Sequence, residues 1–350
     1  MKRIQYFFII YFALNAVCIG QNPAAPYLFG RNPYAAAEAM GGANTALGTN
    51  LFSVFYNPAG IQNMNGIEVA GSFANQYYSS DAKYIYGSAG MRWNKYLSTA
   101  ITYHEASYSI ASIYMVGTNR PPLQKFTFTV ASAPFKNFNV GLNLNRFEYN
   151  ELYKTSAYCV DAGLQYKIEL NKKSMIFIGS EMKNLNGAVI KYNFPGFYPS
   201  PEVNIPTIGS TGIAYQNKKL FKSERLLVGL TLQLEYCYNL KHSNYNTPRF
   251  GTELQLWNQL NLRGGVGIDP FPGSDGNKNP AISYGLGWNI IMDNYDYFKG
   301  SRNEWQLDVC SLQQRPYEYP TSSYYSNYIV ASILFKHRLT YKKDLCLTCP

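Results

Sequence analysis

Charge is scarce in this chain. Only 15% of its 350 residues are Asp, Glu, Lys or Arg, against roughly a quarter in an average soluble protein. Histidine is scarcer still: His104, His242 and His337 are the only three, far apart in the sequence. No H-E-x-x-H, G-x-S-x-G, P-loop or calcium-loop spacing occurs. The residue patterns that carry hydrolysis, phosphoryl transfer or metal chemistry are therefore missing, and we expect no enzyme, no cofactor and no metal.

Paired cysteines are lacking too. Of six cysteines, Cys18 falls in an N-terminal leader. The other five, Cys159, Cys237, Cys310, Cys346 and Cys349, are an odd set that makes no disulfide framework. Cys346 and Cys349 form a lone C-x-x-C with no second pair and no nearby His, so a terminal disulfide or a free tail fits better than zinc.

Long apolar runs are absent beyond the first twenty residues, which excludes a helical membrane protein. Lys2 and Arg3 precede an apolar stretch over 4–17, and small residues follow to Gly20. That is the form of a secretory signal peptide, with cleavage expected after Gly20. The stretch is short for a spanning helix. A lipoprotein signal at Cys18 is disfavoured by its approach, Asn15-Ala16-Val17. The net charge of +10 is spread through small Lys clusters in predicted turns (171–173, 217–222, 342–343). With no RNA-binding signature or basic helix, we expect no nucleic-acid partner.

What the chain has is Tyr (32), Phe (20) and Gly (28), arranged with period two. Over 156–170, Tyr158, Val160, Ala162, Leu164, Tyr166, Ile168 and Leu170 alternate with Cys159, Asp161, Gly163, Gln165, Lys167 and Glu169. Over 224–239, Leu226, Val228, Leu230, Leu232, Leu234, Tyr236 and Tyr238 alternate with Gly229, Thr231, Gln233, Glu235 and Cys237. Such alternation means strands with two different environments. It predicts about fourteen strands, near 66–78, 83–93, 96–109, 124–135, 138–150, 156–170, 174–186, 207–216, 224–239, 248–258, 259–269, 281–291, 303–313 and 326–338. Most reach the length of roughly 9–11 residues that a tilted strand needs to cross a bilayer.

Joint lengths alternate as well. Joints after even-numbered strands are mostly tiny ("NK" at 94–95, "KN" at 136–137, "NKK" at 171–173). Those after odd-numbered strands are mostly long (110–123, 187–206, 240–247, 270–280, 314–325). Segment 292–302 breaks the rule by being long, and 79–82 by being short. A soluble sandwich or jelly roll has no reason to alternate by parity; a membrane barrel with short turns at one end and long loops at the other does. We therefore expect an all-β fold, a transmembrane antiparallel β-barrel. Its aliphatic face meets lipid, its Tyr, Trp and Phe collect at the interfaces, and its polar face lines the lumen. The lumen candidates are Asp161, Lys167, Glu169, Glu235, Glu253, Arg263 and Asp269, with Glu304 and Asp308. These carboxylates are read as partners of Arg263 or Lys167. His104, near Ser107 and Ser109, is read as a structural residue of the wall rather than half of a lipid-hydrolysing pair.

Ahead of the strands stand "AMGGANTALG" (39–48) and "FYNPAGI" (55–61). Pro58 lacks an N–H and cannot continue a ladder, and Gly60 permits a positive φ. Residues 35–40 can form a short helix that Gly41 and Gly42 end. With "DAGLQY" (161–166), "KNLNG" (183–187), "IPTIGSTGIAY" (205–215) and "GTELQLWNQLNLRGGVG" (251–267), these stretches resemble the FadL-type outer-membrane proteins and the related PorV/PorQ-type barrels. The resemblance implies a signal peptide at 1–20 and an N-terminal plug, or hatch, with its entry turn at 21–60. A barrel then follows at 61–338 and a tail at 339–350. Gly41, Gly42, Asn57, Pro58, Ala59 and Gly60 would be the plug and entry motif, with 57–60 turning into the first strand. It also implies residence in the outer membrane of a Gram-negative bacterium and contact with its lipid. The implied function is passage of hydrophobic small molecules, such as long-chain fatty acids or aromatic compounds. The PorV-type branch implies instead a non-enzymatic accessory of type IX secretion, with secretion-system proteins as partners.

Two loops bear on that choice. "IKYNFPGFYPSPEVNIP" (190–206) offers Phe194, Phe197 and Tyr198 as an apolar capture groove or as interface anchors. "QQRPYEYPTSSYYSN" (313–327) would suit a protein partner. Phe335 is the candidate terminal aromatic of the last strand.

Overall fold

In the computed structural model the residues described are 33–76, 83–107, 109–112, 115–119, 123–150, 154–191, 202–205, 207–223, 226–240, 246–268, 280–293, 301–314 and 326–339. Two helical turns come first, α1 (Ala35–Glu38) and α2 (Ser53–Tyr56), then a 3-10 helix at Pro58–Asn63. Gly66, at φ 86°, turns the chain into the sheet. The strands are β1 (Ile67–Gln76), β2 (Lys83–Arg92), β3 (Leu97–Ser107), β4 (Ser109–Ser112), β5 (Met115–Asn119), β6 (Leu123–Phe135), β7 (Phe138–Asn150), β8 (Lys154–Glu169) and β9 (Ser174–Lys183). They continue with β10 (Val189–Lys191), β11 (Glu202–Asn204), β12 (Ile208–Lys222), β13 (Leu227–Asn239), β14 (Thr247–Leu256), β15 (Leu260–Ile268), β16 (Pro280–Asp293), β17 (Ser301–Gln314) and β18 (Ser326–Leu339).

Fourteen of these strands close into one antiparallel barrel, in which β1 pairs with both β2 and β18. The remaining four form the small hairpins β4–β5 and β10–β11, set in the long joints β3–β6 and β9–β12. Closure leaves no sheet edge, the condition for strands to sit in hydrocarbon. No described helix is long and apolar enough to cross a membrane.

The period of two sorts the side chains as the alternation predicts. Leu142, Leu144, Leu234, Val309 and Ile333 lie exposed on the outer wall, Leu144 at 56%. An apolar surface of this extent around a closed barrel is a lipid-facing surface. Trp93, Tyr96, Phe135, Phe221 and Trp257 crowd it at the short-turn end, and Phe73, Tyr158, Tyr236 and Tyr284 toward the loop end. Asp161, Gln165, Gln233, Glu235, Asn261 and Arg263 point inward and are buried.

The boundaries differ most from the sequence reading in two places. Strand β12 runs six residues past 216, because β13 keeps pairing with it across a bulge between Asn217 and Phe221. Lysines that read as a turn are thus part of a strand. Strands β16 and β17 extend until Asp293 pairs with Arg302. The joint that looked anomalously long shrinks to 294–300, whose structure lies outside the described residues.

Candidate functional site

Residues 33–66 lie inside the bore. This stretch is mostly irregular backbone, and buried irregular backbone needs partners for its N–H and C=O groups. The inward polar side chains of the wall supply them. Glu235 Oε2 accepts the N–H groups of Asn44 and Thr45 at 2.9 and 2.8 Å. Its Oε1 pairs with Arg249 at 3.0 Å, and Arg249 also donates to Gly42 O at 3.3 Å. Glu68 accepts Leu51 N–H at 2.8 Å. Gln165 donates to Ala46 O and Gly48 O at 2.6 and 3.0 Å, and Asn143 to Val54 O at 2.9 Å. Ser283 Oγ donates to Ala39 O at 3.1 Å and accepts Gly41 N–H at 2.9 Å.

Asn57 is fully buried and joins three segments. Its Oδ1 accepts Ala59 N–H at 3.1 Å, capping the 3-10 helix that Pro58 begins. Its Nδ2 donates to Thr45 O at 2.8 Å and to Leu164 O of β8 at 2.9 Å. The stretch 57–60 therefore does not turn into the first strand: it opens a buried 3-10 helix packed on β6, β7 and β8, and the entry comes at Gly66. The physical reason is the N-cap: an Asn followed by Pro at the first helical position starts a helical turn as readily as it breaks a strand.

Wall glycines complete the seat. A Cβ on Gly163 would collide with Asn57 Oδ1 and Pro58 Cδ, and one on Gly265 with the backbone of Met40 and Gly41. Gly41, at φ 71°, and Gly42, at φ 77°, end the turn after α1. Gly60 presses on Gly48 O and Ser53.

The bore is layered along its axis. At the loop end an apolar cluster combines Ala74, Tyr84, Ala106, Leu123, Phe147, Ala157, Cys159, Cys310 and Val330 of the wall with Ala35 and Ala39 of the inner segment and Ile205 of the β11–β12 joint. Beneath it, His104 is buried among the rings of Phe55, Tyr84 and Tyr86, at centroid distances of 5.3, 6.5 and 6.1 Å. The Lys125 and Lys183 ammonium groups stand over Phe55, 5.3 and 4.8 Å from its centroid.

At the short-turn end the bore opens into a polar cavity of about 680 Å³, lined among others by Glu68, Glu253, Arg263, Asn261, Glu304 and Lys336. Arg263 is clamped there by Glu253 at 2.7 Å and Asp308 at 2.6 Å. Gln306 donates to Asp308 at 2.7 Å and to the Tyr34 hydroxyl at 2.8 Å. Burial first, and the Asp308 charge next, hold the Tyr34 phenol above its usual range, so it stays a neutral hydrogen-bonding group.

Of the residues singled out in the sequence, Glu235 holds the inner segment directly. Glu253 and Arg263 belong to the clamp beside Tyr34. Asp161 accepts Asn145 Nδ2 at 2.7 Å and Asn184 N–H at 2.9 Å. Lys167 pairs with Glu169 at 2.8 Å, a half-exposed contact apart from the others. Asp269, Phe194, Phe197 and Tyr198 lie outside the described residues, as do 1–20, Cys346 and Cys349. Phe335 packs on Trp305 at 4.6 Å on the outer wall. Sequence reasoning missed Glu68, Asn143, Gln165, Ser283 and the wall glycines as anchors. All of them fall on the inward parity of their strands, which was the available signal. Among the described residues no three His, Cys, Asp or Glu side chains gather as metal ligands.

Fold and site together define a transmembrane β-barrel whose bore is occupied by its own N-terminal segment. The sequence matches no protein-family model and no curated protein. Among solved structures the chain is similar to a Pseudomonas aeruginosa FadL homologue, with a TM-score of 0.50 at 9% identity over 87% of this chain and 98% of that one. It is also similar to the CymD monoaromatic hydrocarbon channel (TM-score 0.49, 11% identity, 88% and 97% covered). The Ralstonia pickettii toluene transporter TbuX gives 0.48 at 11% identity, with 89% and 100% covered. At these identities the likeness is one of fold.

Proposed function

We propose that this protein is an outer-membrane channel for hydrophobic small molecules, long-chain fatty acids or aromatic compounds, with its inner segment, described over 33–66, as its hatch. The observation that carries this reading is the apolar layer at the loop end of the bore, resting on the inner segment. A general porin keeps a polar, water-filled lumen. Here most inward polar groups hold the inner segment or line the turn-end cavity, and an apolar layer lies at the loop end, above buried Lys125, Asn145 and Asp161. That is the lining expected of a receptor for an apolar ligand. The barrel shared with a FadL homologue and the resemblance of 39–48 and 55–61 to the FadL type support it. In this orientation the loops face outward and the short turns face the periplasm, and the leader at 1–20 provides export.

The test is uptake of radiolabelled oleate and of toluene by cells with and without the gene. It is repeated with Ala106→Asp, which puts a carboxylate on the inward face of the apolar layer. Deletion is expected to abolish uptake, and Ala106→Asp to lower it severalfold at an unchanged amount of folded barrel. Undiminished uptake on deletion, with the protein recovered in a large secretion complex, would move it to the PorV-type accessory role.

A further inference from the structure

The rim of the barrel at the short-turn end carries a feature that passage through the bore does not use. Between the β2–β3 turn and the β6–β7 turn lies a groove of about 630 Å³. Four cationic residues line it, Arg92, Lys95, Lys136 and Lys167, and no Asp or Glu is among its lining residues. Only Lys167 has a carboxylate partner, Glu169 at 2.8 Å. Arg92 donates to the backbone carbonyls of Asn94 and Met64 at 3.2 and 3.3 Å. Lys95 stands over the ring of its neighbour Tyr96, 4.7 Å from the centroid. Glu169 also feels the Lys136 charge, and among the described residues no salt bridge holds Arg92 or Lys95. Gathering like charges on the flank of an apolar wall is unfavourable unless an anion joins them.

The apolar walls of the same groove decide which anion. Tyr96 and Phe135 are 55% and 60% exposed, at the level of the interfacial aromatics. Rings at this depth sit at the boundary of headgroups and acyl chains, and cations beside them meet lipid phosphates. A free phosphate would use the cations and leave the rings without a role; a phospholipid uses both. We propose that this groove is a binding site for one phospholipid, its headgroup phosphate held by Arg92, Lys95 and Lys136 and its acyl chains lying on Tyr96 and Phe135. The leaflet concerned is the one at the short-turn end. Lys95 and Lys136 lie on turns outside the bore, while Arg92 also lines its turn-end cavity.

The full chain, purified in neutral detergent, is titrated with fluorescent phosphatidylglycerol, and then again in the presence of inorganic phosphate or phosphatidylcholine. The variants are Lys95→Gln/Lys136→Gln and, as a matched loss of charge on the adjacent turn, Lys172→Gln/Lys173→Gln. All four lysines are on exposed turns and outside the bore. The expected result is saturable binding of about one phosphatidylglycerol, weakened about tenfold by the first double substitution and left within about twofold by the second. Equal weakening by both pairs would reduce the groove to diffuse surface charge and overturn the proposal. Displacement by millimolar inorganic phosphate would overturn the lipid assignment in favour of a free-anion site. Indifference to the first pair would overturn the site itself.

Discussion

Asn57 spends its whole side chain on attachment: one bond caps its own 3-10 helix, one reaches Thr45 O, and one reaches Leu164 O on the wall. Removing it leaves three backbone groups short of partners in a buried place, each at about 1–3 kcal/mol. Asn57→Ala is therefore expected to loosen the inner segment while the barrel stays assembled. Cells carrying it should become sensitive to bulky antibiotics at an unchanged amount of heat-modifiable barrel; loss of the barrel itself would contradict the assignment. Glu235 makes the complementary case. Glu235→Gln strips the charge from two N–H···O contacts and leaves Arg249 buried beside a neutral amide, a change of about 3–5 kcal/mol for a broken buried pair. Limited proteolysis of the purified protein should then cut within 40–50 faster than in the parent. Unchanged cleavage would mean that Glu235 is a bystander.

Strands carry the second kind of prediction, because inward and outward positions answer to different solvents. Leu144 lies on the outer face of β7, between Phe128 and Val160 on the neighbouring strands. Leu144→Arg places a charge against lipid tails, and refolding into vesicles monitored by urea titration should show a loss of about 2–4 kcal/mol. Inward glycines should divide by what faces them. Gly163→Ala collides with Asn57 and Pro58, whereas Gly229→Ala meets only neighbouring strands, at 3.4 Å or more. Only the first should accelerate proteolysis of the inner segment; equal effects would mean the segment is not seated on β8. The same alternation explains what could be read beforehand. Strand parity on β8, β13 and β15 exposed the fold class and assigned Asp161, Glu235 and Arg263 to the inside, since a period of two survives any choice of neighbours. The bulge in β12 could not be read, because Lys218, Lys219 and Lys222 look like a turn until β13 is known to resume pairing at Phe221 and Lys222. Nor could the seat: whether an inward Gly is free of the inner segment, like Gly229, or covered by it, like Gly163, depends on a segment that lies about a hundred residues away in sequence.

At the scale of the whole molecule, a closed wall and an occupied bore make one account. The wall is greasy outside because lipid surrounds it. Inside, polar groups hold the irregular segment, while apolar clusters pack against it at mid-bore and at the loop end. The barrel strands do not need the inner segment for their own ladder, so removing 33–60 should leave a folded barrel with an open path. Ion conductance across a planar bilayer tests this most directly. The full chain is predicted to be nearly silent, and the chain lacking 33–60 to open in large, steady steps. Equal conductance by the two would contradict the account, since the bore would then not be stopped by its own N-terminal segment.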